Sequence, residues 1–191
     1  DIQCTEYTIG YDTAMNTALE MIDKLRDTSQ SHDRCSVVEV MGRRAGWIAL
    51  NVAIASGAIA CVTPEIPYDI NAIADKIIKA HESQKEHFIV VVAEGVEASD
   101  EITKKINELT GIETRLTVLG HVQRGGMPTL RDRVAASQMG YHAVELIDRG
   151  VTNRVVGMKD NKIIDVDIQE ALSMKKPFDT ELYRVCNEIT F

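Results

Sequence analysis

Cysteine is scarce and scattered: Cys4, Cys35, Cys61 and Cys186 are the only four in 191 residues. There is no Cys-x-x-Cys pair and no histidine at metal-ligand spacing, so neither a metal cluster nor a disulfide-stapled fold is expected. Reduced, buried thiols of a cytoplasmic protein are the reading that remains. Basic charge is in deficit, with 21 Lys and Arg against 29 Asp and Glu, a net −8. That argues against nucleic acid or an anionic membrane as the main partner, and any basic site for an anion has to be local. A long apolar run is also missing. The longest, Trp47 to Val62, is broken by Asn51 and by Ser56 and Gly57, and it falls short of the ~20 apolar residues that a membrane span needs. A buried helix running into a buried strand accounts for it. No internal repeat, low-complexity linker, signal peptide or lipidation motif is visible. An initiator Met is absent too, and a formed segment starts at once at Asp1, so the chain is expected to begin partway into a longer protein.

What is present is a core-forming composition, 45% hydrophobic, which excludes global disorder and leaves one large domain or two small ones. The apolar pattern alternates between helix and strand. Ala14, Ala18, Met21, Ile22 and Leu25 recur at helical spacing and predict a helix over 12–26. Ser36 to Val40 reads as a strand, 45–55 as a buried helix, and Cys61 to Thr63 as a short strand stopped by Pro64. Asp69 is the expected N-cap of a helix to about Ser83. Phe88 to Ala93 is six apolar residues in a row, the mark of a strand covered on both faces. A helix over 100–110 ended by Gly111, a strand over 115–119 and a helix from Thr129 to about Arg149 follow. The tail adds strands at 154–158 and 162–165 and helical pieces near 168–174 and 179–189. Alternating βα units predict an α/β fold: a Rossmann-like parallel sheet in a three-layer αβα sandwich.

Ligands of such sheets bind outside the carboxyl ends of the strands, and three polar motifs fall there. Met41-Gly42-Arg43-Arg44 follows the first strand. Gly42 allows close backbone approach, the helix starting near Ala45 is expected to offer free N–H groups to an anion, and Arg43 carries a fork suited to phosphate. A solvated Arg at a strand–helix turn is the plainer alternative. Glu94 emerges from the fully apolar strand, so its carboxylate needs a partner, either a sugar hydroxyl or a nearby Arg. His121 and Arg124, three apart and followed by Gly125 and Gly126, face one pocket if that segment coils. Together the motifs suit a phosphorylated, hydroxyl-rich small molecule.

MGRRAGW, VVAEG and RLTVLGHVQRGGMPTLRDR resemble the phosphofructokinases, and the resemblance runs over essentially the whole chain. It implies the C-terminal part of a bacterial-type subunit of a glycolytic phosphotransferase. That enzyme moves a phosphoryl group from ATP to the 1-hydroxyl of fructose 6-phosphate, with Mg²⁺, to give fructose 1,6-bisphosphate. A pyrophosphate donor, or a non-catalytic sugar-phosphate binding or regulatory module, stands as the alternative. The implied organisation is 1–10 as the end of the N-terminal donor domain and 11–123 as the fructose 6-phosphate-binding domain. Residues 124–173 return to the donor domain, and 174–191 close the sugar domain with a helix.

Residue by residue, the resemblance matches Asp1 to the last Asp of the family's Thr-Ile-Asp-Asn-Asp segment. The catalytic base would fall two residues earlier, so this chain by itself is expected to be inactive. Met41, Gly42, Arg43, Glu94, His121 and Arg124 match the sugar-phosphate site. Arg34 and Arg115 match arginines lent to the neighbouring subunit, which implies a homodimer or homotetramer. Arg26 and Lys85 match basic residues of an effector site. Ile59 and Ser83 replace that site's acidic and basic partners, so allosteric control is not carried over. The implied location is cytoplasmic.

Overall fold

The computed structural model describes residues 2–29, 34–84 and 87–189. In chain order the elements are α1 (Tyr11–Ser29), β1 (Arg34–Val40), α2 (Trp47–Ser56), β2 (Ala60–Val62), α3 (Ile70–Glu82), β3 (His87–Ala93), α4 (Ser99–Thr110) and β4 (Glu113–Val118). They are followed by α5 (Leu130–Asp148), β5 (Arg154–Lys159), β6 (Lys162–Asp167), α6 (Ile168–Ser173) and α7 (Thr180–Glu188). Two of the expected caps are formed. The Asp69 carboxylate accepts from the Asn71 N–H and the Thr129 hydroxyl from the Asp132 N–H, each satisfying a donor that the first helical turn would leave open. The chain divides into two compact units, Met15–Gly125 with Phe178–Phe191, and Asp1–Ala14 with Gly126–Pro177.

The larger unit holds a parallel sheet of order β2-β3-β1-β4. Alternate residues of each strand point to opposite faces, and both faces are apolar. Val38, Val40, Ile89, Val91 and Cys61 pack with Ala18 and Ile22 of α1, Leu50 and Ala53 of α2, and Cys186 of α7. Val37, Val62, Phe88, Val90 and Val92 pack on the other side with Ile73 and Ile77 of α3 and Ile102 and Ile106 of α4. This is the expected αβα sandwich. Chain direction explains which helix lies where. The step from β1 to β2 crosses the sheet one way, and the steps from β2 to β3 and from β3 to β4 cross it the other way. Right-handed crossovers then place α2 on one face and α3 and α4 on the opposite one. Burying side chains such as Phe88, Leu50, Ile77 and Ile106 contributes about 1.5–3 kcal/mol each.

The four cysteines are free. Cys61 and Cys186 hydrogen-bond to each other, which holds the Cys61 thiol well above its ordinary value and the Cys186 thiol below it. Burial pushes Cys35 up to about 12. None of these three is poised as an exposed nucleophile.

The smaller unit is built from α5, α6 and an antiparallel β5–β6 hairpin, with the segment before α1 laid beside it. The Glu6 N–H donates to the Met158 carbonyl at 2.9 Å, and the Met158 N–H to the Thr5 hydroxyl at 2.8 Å. At its centre Asp132 is 3% exposed. Its carboxylate accepts from the Tyr7 and Thr13 hydroxyls, from the Gly10 N–H at 2.9 Å and from the Thr13 N–H at 2.8 Å. Arg131 lies over the Tyr7 ring, 4.4 Å from its centroid.

Candidate functional site

The connections leaving β1 and β3, which are adjacent strands, run to opposite faces of the sheet. The crevice between their carboxyl ends is therefore the topological switch point, where ligands bind in open α/β sheets. The Met41–Gly46 segment and Glu94 both emerge there. One oxygen of Glu94, Oε1, accepts from the Gly42 N–H at 2.9 Å and the Arg43 N–H at 2.5 Å. One expectation changes with this. The partner of Glu94 is backbone, in addition to any sugar hydroxyl or Arg. The Gly42 and Arg43 N–H groups are not free to face an anion, because this carboxylate already holds them.

The close approach depends on glycine. A Cβ at Gly95 would run into the Arg43 carbonyl oxygen, and one at Gly42 into the Ala45 carbonyl oxygen. Arg43 takes φ 51°, a left-handed conformation that costs a non-glycine residue about 1–3 kcal/mol and persists only where its surroundings hold it. Its side chain stays exposed.

After β4 the chain coils into a 3-10 turn over Gly120–Arg124. Side chains three apart eclipse in such a turn, so His121 and Arg124 share a face, and both are exposed. Gln123 between them is fully buried, and its Oε1 accepts from the Met41 N–H at 2.8 Å. Beyond the end of β2, Glu65 Oε1 accepts from the Gly46 N–H at 2.8 Å and so caps α2, whose first turn carries no acidic residue. Sequence reasoning missed Gln123 and Glu65. The signal for Glu65 was its place after a strand end, like the other motifs. A polar Gln beside an Arg gave no sign of burial.

Arg34 stands at the opposite end of the sheet, and Arg115 lies two residues further along, within β4. Arg34 opens β1, in register with Glu113, and Arg115 lies in register with Ser36. Both bind the Glu113 carboxylate, through Arg34 Nε at 2.8 Å and Arg115 Nε at 2.8 Å. The two cations hold the Glu113 carboxyl below its ordinary range, with Arg34 the larger influence. Arg26 donates to the Ser56 carbonyl at the end of α2 and pairs with Asp23 at 3.5 Å. Asp1 and Lys85 lie outside the described residues. Among the described residues no cluster of three or more His, Cys, Asp or Glu is placed to hold a metal ion. Nor is any described helix long and apolar enough to cross a membrane.

A parallel sheet with helices on both faces and polar motifs after its strand ends defines an α/β protein of the doubly wound class. The family model for phosphofructokinase matches residues 1–147, and the chain belongs to that family. It is 52% identical over 189 residues to the ATP-dependent 6-phosphofructokinase 1 of Clostridium perfringens, covering 99% of this chain and 59% of that protein. It is 50% identical over 190 residues to the ATP-dependent 6-phosphofructokinase of Clostridium acetobutylicum, covering 100% and 60%. The chain thus spans about three-fifths of the length of these curated relatives. Among solved structures it superposes on phosphofructokinase from Saccharomyces cerevisiae with TM-score 0.81 and 32% identity, covering 99% of this chain and 26% of that one. The Pichia pastoris phosphofructokinase in the T-state gives 0.80 and 29%, covering 98% and 22%.

Proposed function

We propose that this chain is the sugar-phosphate-binding part of an ATP-dependent 6-phosphofructokinase, which phosphorylates the 1-hydroxyl of fructose 6-phosphate. One observation carries the reading. In a chain of net charge −8, Arg43, His121 and Arg124 are gathered with Glu94 at the carboxyl ends of three neighbouring strands. Arg124 and His121 take the 6-phosphate by charge-assisted hydrogen bonds, and Arg43 adds positive charge at the same mouth. Glu94 accepts from sugar hydroxyls beside the loop it already holds. The unit containing Asp1–Ala14 and Gly126–Pro177 belongs with the donor half of the enzyme, as does Asp1. Phosphoryl transfer rests on positioning, charge neutralisation and a base for the hydroxyl, and these residues supply the positioning.

ATP is the favoured donor because relatives at 50% and 52% identity carry that name. The pyrophosphate-dependent structures match at 18% and 21% and share the fold alone. Mg²⁺ arrives with the donor phosphates. Arg34 and Arg115 serve a neighbouring subunit. Arg34 sits at the far end of the seven-residue β1, roughly 20 Å from the mouth at ~3.3 Å per residue and beyond the reach of an arginine side chain, and Arg115 is turned to the same Glu113 carboxylate. The working form is then a homo-oligomer in the cytoplasm. Titration calorimetry with fructose 6-phosphate tests the reading. Arg124→Ala is expected to weaken binding at least about tenfold, a charge-assisted bond being worth about 1.5–3 kcal/mol, and unchanged affinity overturns the assignment.

A further inference from the structure

The Met41–Gly46 loop is held from three directions by side-chain oxygens, each from the end of a different strand. The Met41 N–H goes to Gln123 after β4, the Gly42 and Arg43 N–H groups to Glu94 after β3, and the Gly46 N–H to Glu65 after β2. Within the loop the Gly42 carbonyl takes the Ala45 N–H at 3.0 Å, and at its end the Gly46 carbonyl takes the Leu50 N–H of α2 at 2.9 Å. These bonds bracket Arg43, the one residue of the loop other than glycine with positive φ.

A loop with so little internal hydrogen bonding does not hold a strained residue by itself. We propose that Gln123 and Glu65 are positioning residues that fix the Met41–Gly46 loop, and with it Arg43, in binding geometry before any ligand arrives. The proposal rests on the sugar-phosphate reading for its effect on affinity, though not for its effect on the loop. The chemistry of the two residues fits their places. Gln123 is fully buried beneath the exposed His121 and Arg124. Its amide oxygen accepts without setting a negative charge under an anion site. Glu65 lies at the start of α2, where a carboxylate is favoured by the helix dipole. A Cβ on Gly46 would strike Thr63 and Glu65, so the glycine keeps the approach open. Because the loop between them is short, losing either anchor leaves the residue that carries the cation held by Glu94 and one flanking anchor in place of two. Arg43 then samples orientations that do not face the ligand, and affinity falls by the fraction of time it is misplaced.

The test measures residue-resolved amide exchange by NMR and fructose 6-phosphate affinity by calorimetry on the full chain. Gln123→Met keeps the volume and removes the acceptor. Glu65→Met does the same at the other anchor, and Glu65→Gln retains an acceptor oxygen. Expected results are at least about tenfold faster exchange at Met41 in Gln123→Met and at Gly46 in Glu65→Met, with affinity about tenfold weaker in each. Glu65→Gln is expected to recover most of the loss, which a role in bulk alone would not produce. Thermal unfolding identifies any variant that has not folded, and the other anchor's variant then decides. Unchanged exchange overturns the clamp, and released amides with unchanged affinity overturn its role in binding. If the unaltered chain itself binds no fructose 6-phosphate, the sugar reading fails. The exchange data then still decide whether Gln123 and Glu65 fix the loop.

Discussion

Asp132 in the smaller unit and Glu94 in the larger one use the same device: a carboxylate gathers N–H groups from a separate, glycine-containing segment. They differ in saturation. Asp132 is 3% exposed and takes two hydroxyl and two backbone donors over both oxygens. Glu94 is half-buried and holds its loop through Oε1. A carboxylate whose acceptor positions are filled from within serves the fold alone, because a ligand has to break existing bonds to reach it. A half-exposed one can hold a loop and still meet a hydroxyl from solvent.

The sharpest way to break this contrast is to remove each carboxylate. Asp132→Ala leaves several buried donors without an acceptor, each costing about 1–3 kcal/mol, so a stability loss of about 3 kcal/mol or more is expected in denaturant titrations. Glu94→Ala frees two amides nearer to solvent and is expected to cost about 1–2 kcal/mol while weakening fructose 6-phosphate binding by more than Asp132→Ala does in folded protein. Equal stability losses would remove the distinction.

Acid sharpens it at the next level. Burial pushes the Asp132 carboxyl up, but the Thr13 and Tyr7 hydroxyls and the Thr13 and Gly10 N–H groups outweigh this and hold it below the ordinary range. Its stabilisation is therefore present above the unfolded value of about 3.9 and is lost as pH falls through the lower folded value. Tyr7 behaves in reverse. Burial and then Asp132 raise it well above the usual tyrosine value, so its contribution is present below about pH 10 and is lost as pH rises through the folded value. Unfolding midpoints of the smaller unit are expected to fall at both extremes, and Asp132→Asn to flatten the acid limb. An acid limb unchanged in that variant assigns it to other carboxylates.

The smallest effect belongs to Glu113, whose ion pairs with Arg34 and Arg115 are solvent-exposed. Exposed pairs contribute little, so Glu113→Gln is expected to leave the unfolding midpoint unchanged within error. A clear drop would place that end of the sheet among the structural carboxylates, beside Asp132.

Much of this was legible in the residues. The apolar run at Phe88 to Ala93 announced a strand buried on both faces, and Val90 and Val91 do face different cores. Thr129 and Asp69 announced caps, which are formed. Arg43, Glu94, His121 and Arg124 were visible as candidates because each follows a strand, and a parallel sheet brings strand ends together whatever the strand order. The helix expected from Ala45 begins two residues later, at Trp47. The turn before it is bound by side chains from distant segments, which no local pattern encodes.

Sequence alone determined the elements, the αβα class and the end of the sheet at which the polar motifs gather, because periodicity, capping and strand direction are local properties. Tertiary structure decided the partners: Glu94 and Glu65 on loop amides, Gln123 buried against Met41, and Asp132 at the centre of the smaller unit. These bonds join residues 19 to 125 positions apart. At such separations the choice of partner follows from strand order and crossover direction, which no short stretch of sequence specifies.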